Sequence, residues 1–167
     1  MLLHDLVPVA PFDVGACDAC RLGMSGEWCD ALQPTQAPIL WRQPFAPAVQ
    51  ALLLTSKCPH GSLTITDLEL TAATIAHKDV LVQRRLLVHE RTLWLASDNR
   101  AAVSWATKGS STSAFARAYL LCRNALHQCT LRYVARHHHI PGTVNAMAND
   151  ASRLWHLTDA ALLTHFN

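Results

Sequence analysis

An α/β fold on a mixed five-stranded sheet is predicted by three observations. Three short strand-like segments follow one another before residue 46, the pattern of an antiparallel meander. Farther along, strand-like and helical segments alternate, which adds parallel strands to the same sheet. Half of the 167 residues are hydrophobic, enough for one domain over residues 1–167 with a core of its own.

Asp13 to Asp18 (DVGACD) is short, small and apolar, and reads as the first strand. Gly23 to Cys29 follows a turn and reads as its hairpin partner; Ile39 to Phe45 is the third strand. Ala48 to Leu54 reads as a short helix and Pro59-His60-Gly61 as a turn. Asp67 is placed to cap a helix from Leu68 to about Val82, with Leu68, Ala72, Ile75 and Ala76 on one face. Thr92 to Ser97 (TLWLAS) is apolar on both faces, the mark of a central strand. A helix from Asn99 stops at Gly109. The longer helix Ser111 to Cys129 is predicted to bury Phe115, Ala118, Leu121, Cys122 and Leu126. Leu131 to Ala135 alternates as a strand does, and Pro141-Gly142 turns. Helices are expected from Asn145 to Trp155 and from Thr158 to Phe166.

Composition narrows the class. No apolar run reaches the roughly 18 residues of a membrane span, so no membrane partner is expected. The start MLLHDLVPVAPFD lacks the basic end of a secretory signal. An intracellular chain, in cytoplasm or nucleus, with six reduced cysteines is therefore expected. The net charge of +2 decides nothing alone, but of 14 basic residues only Lys57, Lys78 and Lys108 are lysines. Arginine is the fork-shaped group that suits phosphate.

Four of the 12 acids fall at telling places. Asp18 ends or interrupts the first strand, Glu69 lies in the first turn of a helix, Asp98 follows the central strand, and Asp150 opens the late helix. Singly, such acids are helix-dipole partners or turn residues. Converging on one sheet edge, they make the oxygen-rich cluster that hard divalent cations want. Two such ions about 4 Å apart activate a water and stabilise the leaving oxygen in phosphodiester cleavage.

These blocks resemble the ribonuclease H domain of retrotransposon reverse transcriptases, in particular DIRS-like elements that move with a tyrosine recombinase. ACDAC-RLGMSGEW resembles the first-strand block and LTITDLELTAATIAHKDVL the glutamate helix. LWLASDNRAAVSWATKGSS resembles the Asp-Asn block, and HIPGTVNAMANDASRLW the last block. The resemblance spans nearly the whole chain. It implies a ribonuclease-H-like fold: three antiparallel strands, then two parallel ones, with helices on both faces. It also implies two Mg²⁺ ions, with Mn²⁺ as substitute, at Asp18, Glu69, Asp98 and Asp150. The implied substrate is the RNA strand of an RNA–DNA hybrid. The implied partner is the polymerase domain of a longer polyprotein of which this chain is a fragment.

One position departs from the pattern. The register of Asn145, Ser152 and Arg153 puts the fourth acid at 149, where the chain has Asn149, while Asp150 is the next residue. A helical wheel sets Asp150 at the edge of the apolar face and turns Asn149 away. Either Asp150 takes the role, or the site has lost a carboxylate and keeps one amide oxygen.

Each remaining candidate also has a plainer reading. His137-His138-His139 on a strand point to alternate faces and cannot form one chelate. His139 sits where the related cellular enzymes carry a loop histidine that helps proton transfer or product release. Cys17 and Cys20, with Cys29 nearby, lack a second ligand pair and read as packing thiols rather than a zinc site. Arg100, Trp105, Lys108, Arg117 and Arg123 are candidate contacts to a nucleic-acid backbone, set against core packing for Trp105 and solvation for the cations. Three rival classes stay in view: a zinc-dependent binding module, a non-catalytic module that grips hybrid or packs on a polymerase domain, and a transposase-type core. The transposase-type core wants its glutamate last, whereas Glu69 lies between Asp18 and Asp98.

Overall fold

In the computed structural model, residues 13–31, 33, 35–76, 92–111 and 115–166 are described. Strand β1 (Asp13–Ala19) pairs antiparallel with β2 (Gly23–Asp30), which pairs antiparallel with β3 (Ile39–Pro44). Strand β4 (Thr92–Ser97) joins β1 in parallel, and β5 (Val134–His139) joins β4 in parallel. The order is β3-β2-β1-β4-β5, so the strands that carry Asp18 and precede Asp98 are neighbours. The expected fold class holds: three antiparallel strands, then two parallel ones.

Helices α1 (Pro47–Ala51) and α2 (Ile65–Thr71) follow the meander, and α2 continues as a π-helical turn over Ala72–Ala76. Then come α3 (Arg100–Lys108), α4 (Phe115–Leu131), α5 (Ala146–Arg153) and α6 (Asp159–Phe166). The main core lies between the sheet and the α2 region: Cys17, Ala19, Met24, Trp28, Leu93 and Leu95 meet Leu68, Ala72 and Ala73. The register explains it, because alternate residues of β1 share a face with Leu93 and Leu95. The intervening β1 residues point the other way, where Ser25 Oγ, opposite Asp18, donates to Ala148 O of α5 at 2.6 Å.

Four local expectations are corrected. Asp67 is not the cap of α2. Thr64 is, and Asp67 closes a capping box: Thr64 N donates to Asp67 Oδ2 at 2.7 Å, and Asp67 N to Thr64 Oγ1 at 3.3 Å. The helix therefore starts three residues early, at Ile65. Its expected end at Val82 lies outside the described residues. Helix α4 buries only part of the expected face, Phe115's side chain lying outside the described ones. Leu121 and Asn124 are inside, whereas Ala118, Cys122 and Leu126 are exposed. A buried asparagine is invisible to a hydrophobic wheel, so the wheel chose the wrong stripe.

The last strand is shifted as well. Leu131 belongs to α4, Arg132 turns the chain in the left-handed region (φ 51°), and β5 runs on through the histidines. Helix α5 is shorter than expected and buries Ala148, Ala151 and Ser152. No helix among the described residues is long and apolar enough to cross a membrane.

Candidate active site

Three acids meet at one end of the sheet. Asp18, 1% exposed, is carried by β1. Glu69 is buried in α2, one turn past the capping box that fixes the start of that helix. Asp98 follows β4, and the next residue, Asn99, caps α3 by accepting from Ala101 N and Ala102 N at 3.1 and 3.0 Å. One carboxylate oxygen from each lies within 4.8 Å of the others. The turn before α5 comes close to the cluster: a Cβ on Gly142 would sit 2.8 Å from Asp98 Oδ2 and displace that carboxylate.

The crowding is electrostatically unfavourable without a counter-charge. Burial, then the Asp18 charge and hydrogen bond and the Asp98 charge, push Glu69 up to about 9. Burial foremost, with the Asp98 charge adding, raises Asp18 despite the opposing hydrogen bond from Ser152. Glu69 Oε2 is buried without a hydrogen-bond partner. Three converging carboxylates, two of them reluctant to ionise, and an orphaned oxygen fit divalent cations, which supply the missing positive charge.

A pH signature follows. The native state holds the Glu69 proton between the ordinary carboxylate range and about 9, where the unfolded chain has lost it. Stability of the cation-free protein therefore falls as pH rises through that window. Melting temperature measured in chelator from pH 5 to 9 should decline in the parent and decline less in Glu69→Gln. Identical profiles would contradict the protonation assigned to Glu69.

Asn149 and Asp150 point differently from what the wheel predicts. Asp150 is outside the cluster: its Oδ2 lies 3.1 Å from His165 Nε2 of α6, and both side chains are about half exposed, at 48% and 47%. Asn149 faces the site end, donating from Nδ2 to Gly142 O at 2.9 Å, with Oδ1 buried and unpartnered. The physical reason is the pair of buried polar anchors on α5. Asn145 Nδ2 donates to Cys17 O at 2.9 Å, and Ser152 Oγ donates to Asp18 Oδ2. Both anchors read as outward on a hydrophobic wheel, which rotates the predicted face by about one residue.

His139 pairs in register with Ser97, next to Asp98, and is exposed at the rim. Among the backbone candidates, Arg100 and Lys108 are exposed on α3, as is Arg123 on α4. Arg117 is corrected. Its Nε donates to Asp67 Oδ1 at 2.5 Å, and its guanidinium lies 4.4 Å from the Trp105 ring centroid. Arg117 and the face of Trp105 it covers are thus engaged in packing within the chain.

Among the described residues, Cys17 and Cys20 do not assemble with other ligands. Cys20 Sγ lies 2.8 Å from Ser152 O, Cys17 is buried in the core, and Cys29 is exposed. Among the described residues, the cluster of Asp18, Glu69 and Asp98 is the group of such side chains close enough to hold a metal. Sequence reasoning used Ser152 and Asn145 only as register marks. A hydrophobic wheel turns both outward, so periodicity carried no signal of their burial.

This sheet order, three antiparallel strands and then two parallel ones with helices packed on them, is the ribonuclease H fold. Solved structures agree. LC11-RNase H1, isolated from compost by a metagenomic approach, superposes with a TM-score of 0.58 at 14% identity, over 95% of this chain and 100% of that one. RNase H1 from the halophilic archaeon Halobacterium salinarum NRC-1 gives 0.56 at 13%, over 83% and 96%. LC11-RNase H1 in complex with an RNA/DNA hybrid gives 0.52 at 12%, over 93% and 99%. No family model and no curated protein sequence matches the chain.

Proposed function

We propose that this chain is a metal-dependent endonuclease that hydrolyses the RNA strand of RNA–DNA hybrids. The observation that carries the reading is the convergence of Asp18, Glu69 and Asp98 within 4.8 Å on the ribonuclease H fold. Bound at this cluster, Mg²⁺ or Mn²⁺ would supply an activated water and charge for the leaving oxygen. The chain's own part is to hold three carboxylates in fixed directions and keep the site end of the sheet rigid. His139, exposed at the rim beside Asp98, is the side chain best placed to carry a proton to or from solvent. Exposed Arg100 and Lys108 on α3, with Arg123 on α4, supply cations for the phosphate backbone.

The four motif blocks support a setting in a retroelement reverse transcriptase of the DIRS-like kind, beside a polymerase domain. A gel assay with labelled RNA in hybrid, in duplex RNA and as a single strand tests the activity. Cation-dependent cutting of the hybrid alone is expected; no cutting with either Mg²⁺ or Mn²⁺ would leave the non-catalytic reading.

That second reading is favoured by one observation, the neutral Asn149 at the fourth position. We expect a weakened enzyme rather than a dead one. Asn149→Asp should raise hybrid cleavage roughly tenfold, the equivalent of about 1.4 kcal/mol of tighter cation binding. Unchanged or lower activity at subsaturating Mg²⁺ would remove Asn149 from the site.

Hybrid affinity should fall steeply with salt and ignore base sequence, because arginine–phosphate contacts release counterions and shape is read through sugar hydroxyls. Arg100→Ala should lower the slope of log affinity against log salt by about 1. Binding that tracks one base sequence, or a slope unmoved by the substitution, would point to another class of binder.

A further inference from the structure

We infer that Ser152 is a positioning residue that selects which oxygen of Asp18 binds the cation. The inference deepens the proposed function and rests on that reading of Asp18 as a ligand. Ser152 is fully buried and Asp18 is 1% exposed, so neither is oriented by solvent. Ser152 Oγ meets Asp18 Oδ2 and also lies 2.9 Å from Asn149 O, one turn earlier in α5. A hydroxyl has one proton to donate. When Asp18 is ionised, as a ligand must be, the charged oxygen is the stronger acceptor and takes it. Oδ2 is then engaged, and Oδ1 is left to face the cation.

The serine is itself held in place. Its carbonyl accepts from Trp155 Nε1 at 2.5 Å and from Cys20 Sγ at 2.8 Å. Helix α5 is further tied to the sheet by Ser25 Oγ to Ala148 O at 2.6 Å and by Asn145 Nδ2 to Cys17 O at 2.9 Å. One helix thus brings the orienting hydroxyl to Asp18 and, three residues earlier, Asn149 to the turn against Asp98. Outer partners of this kind restrict a ligand's rotamers, and their loss commonly weakens metal binding by about 10–100-fold.

The test is Mn²⁺ binding to the intact chain by calorimetry, beside hybrid cleavage. Ser152→Ala should weaken Mn²⁺ affinity about tenfold while the cation-free melting temperature stays within a few degrees of the parent. It should also move the Mg²⁺ concentration needed for half-maximal cleavage more than the maximal rate. In an Asp18→Asn background, Ser152→Ala should change Mn²⁺ affinity no further, because its target oxygen pair is gone. Ser152→Cys keeps a weak donor of similar size and should fall between parent and alanine. Unchanged Mn²⁺ affinity in Ser152→Ala, or an equal loss in the Asp18→Asn background, overturns the inference. Weakened Mn²⁺ binding in a chain that cuts no hybrid supports it while removing the proposed function. A parent that takes up no Mn²⁺ overturns both.

Discussion

Glu69→Gln and Asp18→Asn should each reduce hybrid cleavage by about a hundredfold or more, equivalent to at least roughly 2.7 kcal/mol of transition-state stabilisation. Each replaces a charged ligand by a neutral amide of the same shape, so packing is kept and only the charge is lost. The fold should survive and even gain. Burial and neighbouring carboxylates push Glu69 up to about 9, so folding at neutral pH must protonate it, and a neutral amide removes that cost in the cation-free protein. Single-turnover cleavage, with melting curves in chelator, reads both effects. Parent-like cutting by both variants would place the active site elsewhere; a collapsed fold would mean that these acids hold structure rather than cations.

Arg117→Ala should destabilise the protein by about 3 kcal/mol, far more than the loss of a surface phosphate contact. Asp67 is 3% exposed and Arg117 15%, so the variant strands a buried carboxylate. Burial pushes Asp67 up, but the hydrogen bonds from Arg117 and Thr64 outweigh it and hold the carboxyl below its ordinary value. That stabilisation is present above the ordinary carboxylate range and fades as pH falls through the lowered value. Asp67 also closes the capping box of α2 with Thr64, and Arg117 stacks on Trp105, so the pair ties α2, α3 and α4 together. Urea unfolding at neutral pH measures the loss. A change below about 0.5 kcal/mol, with weaker hybrid binding, would return Arg117 to the role its sequence position suggests.

The sheet was legible because its signals are local. Three consecutive short strand segments set off by turns, and the two-faced TLWLAS segment, are written in local sequence, and the observed pairing follows them. Asp18, Glu69 and Asp98 were legible because each sits at the end or start of such an element. What failed to read was the orientation of helices anchored by buried polar groups. Asn124 on α4, and Asn145 and Ser152 on α5, lie inside where a wheel puts them out. The error on α5 bears on Asn149 and Asp150, since one residue of rotation exchanges a side chain beside Gly142 for one paired with His165. Arg117 misled for a related reason. A cation's partner fifty residues away leaves no mark in local sequence, so Asp67 and Arg117 read as a cap and a phosphate contact.

Whether Asp18, Glu69 and Asp98 form one cation-binding site is read most directly from crystals of the chain soaked in Mn²⁺ and measured at the manganese absorption edge. An anomalous peak within about 2.0–2.3 Å of oxygens from all three carboxylates is expected, lost in Asp18→Asn crystals at the same Mn²⁺ concentration. No peak among these carboxylates in crystals that bind Mn²⁺ elsewhere, or one that persists unchanged in Asp18→Asn, would contradict a shared site.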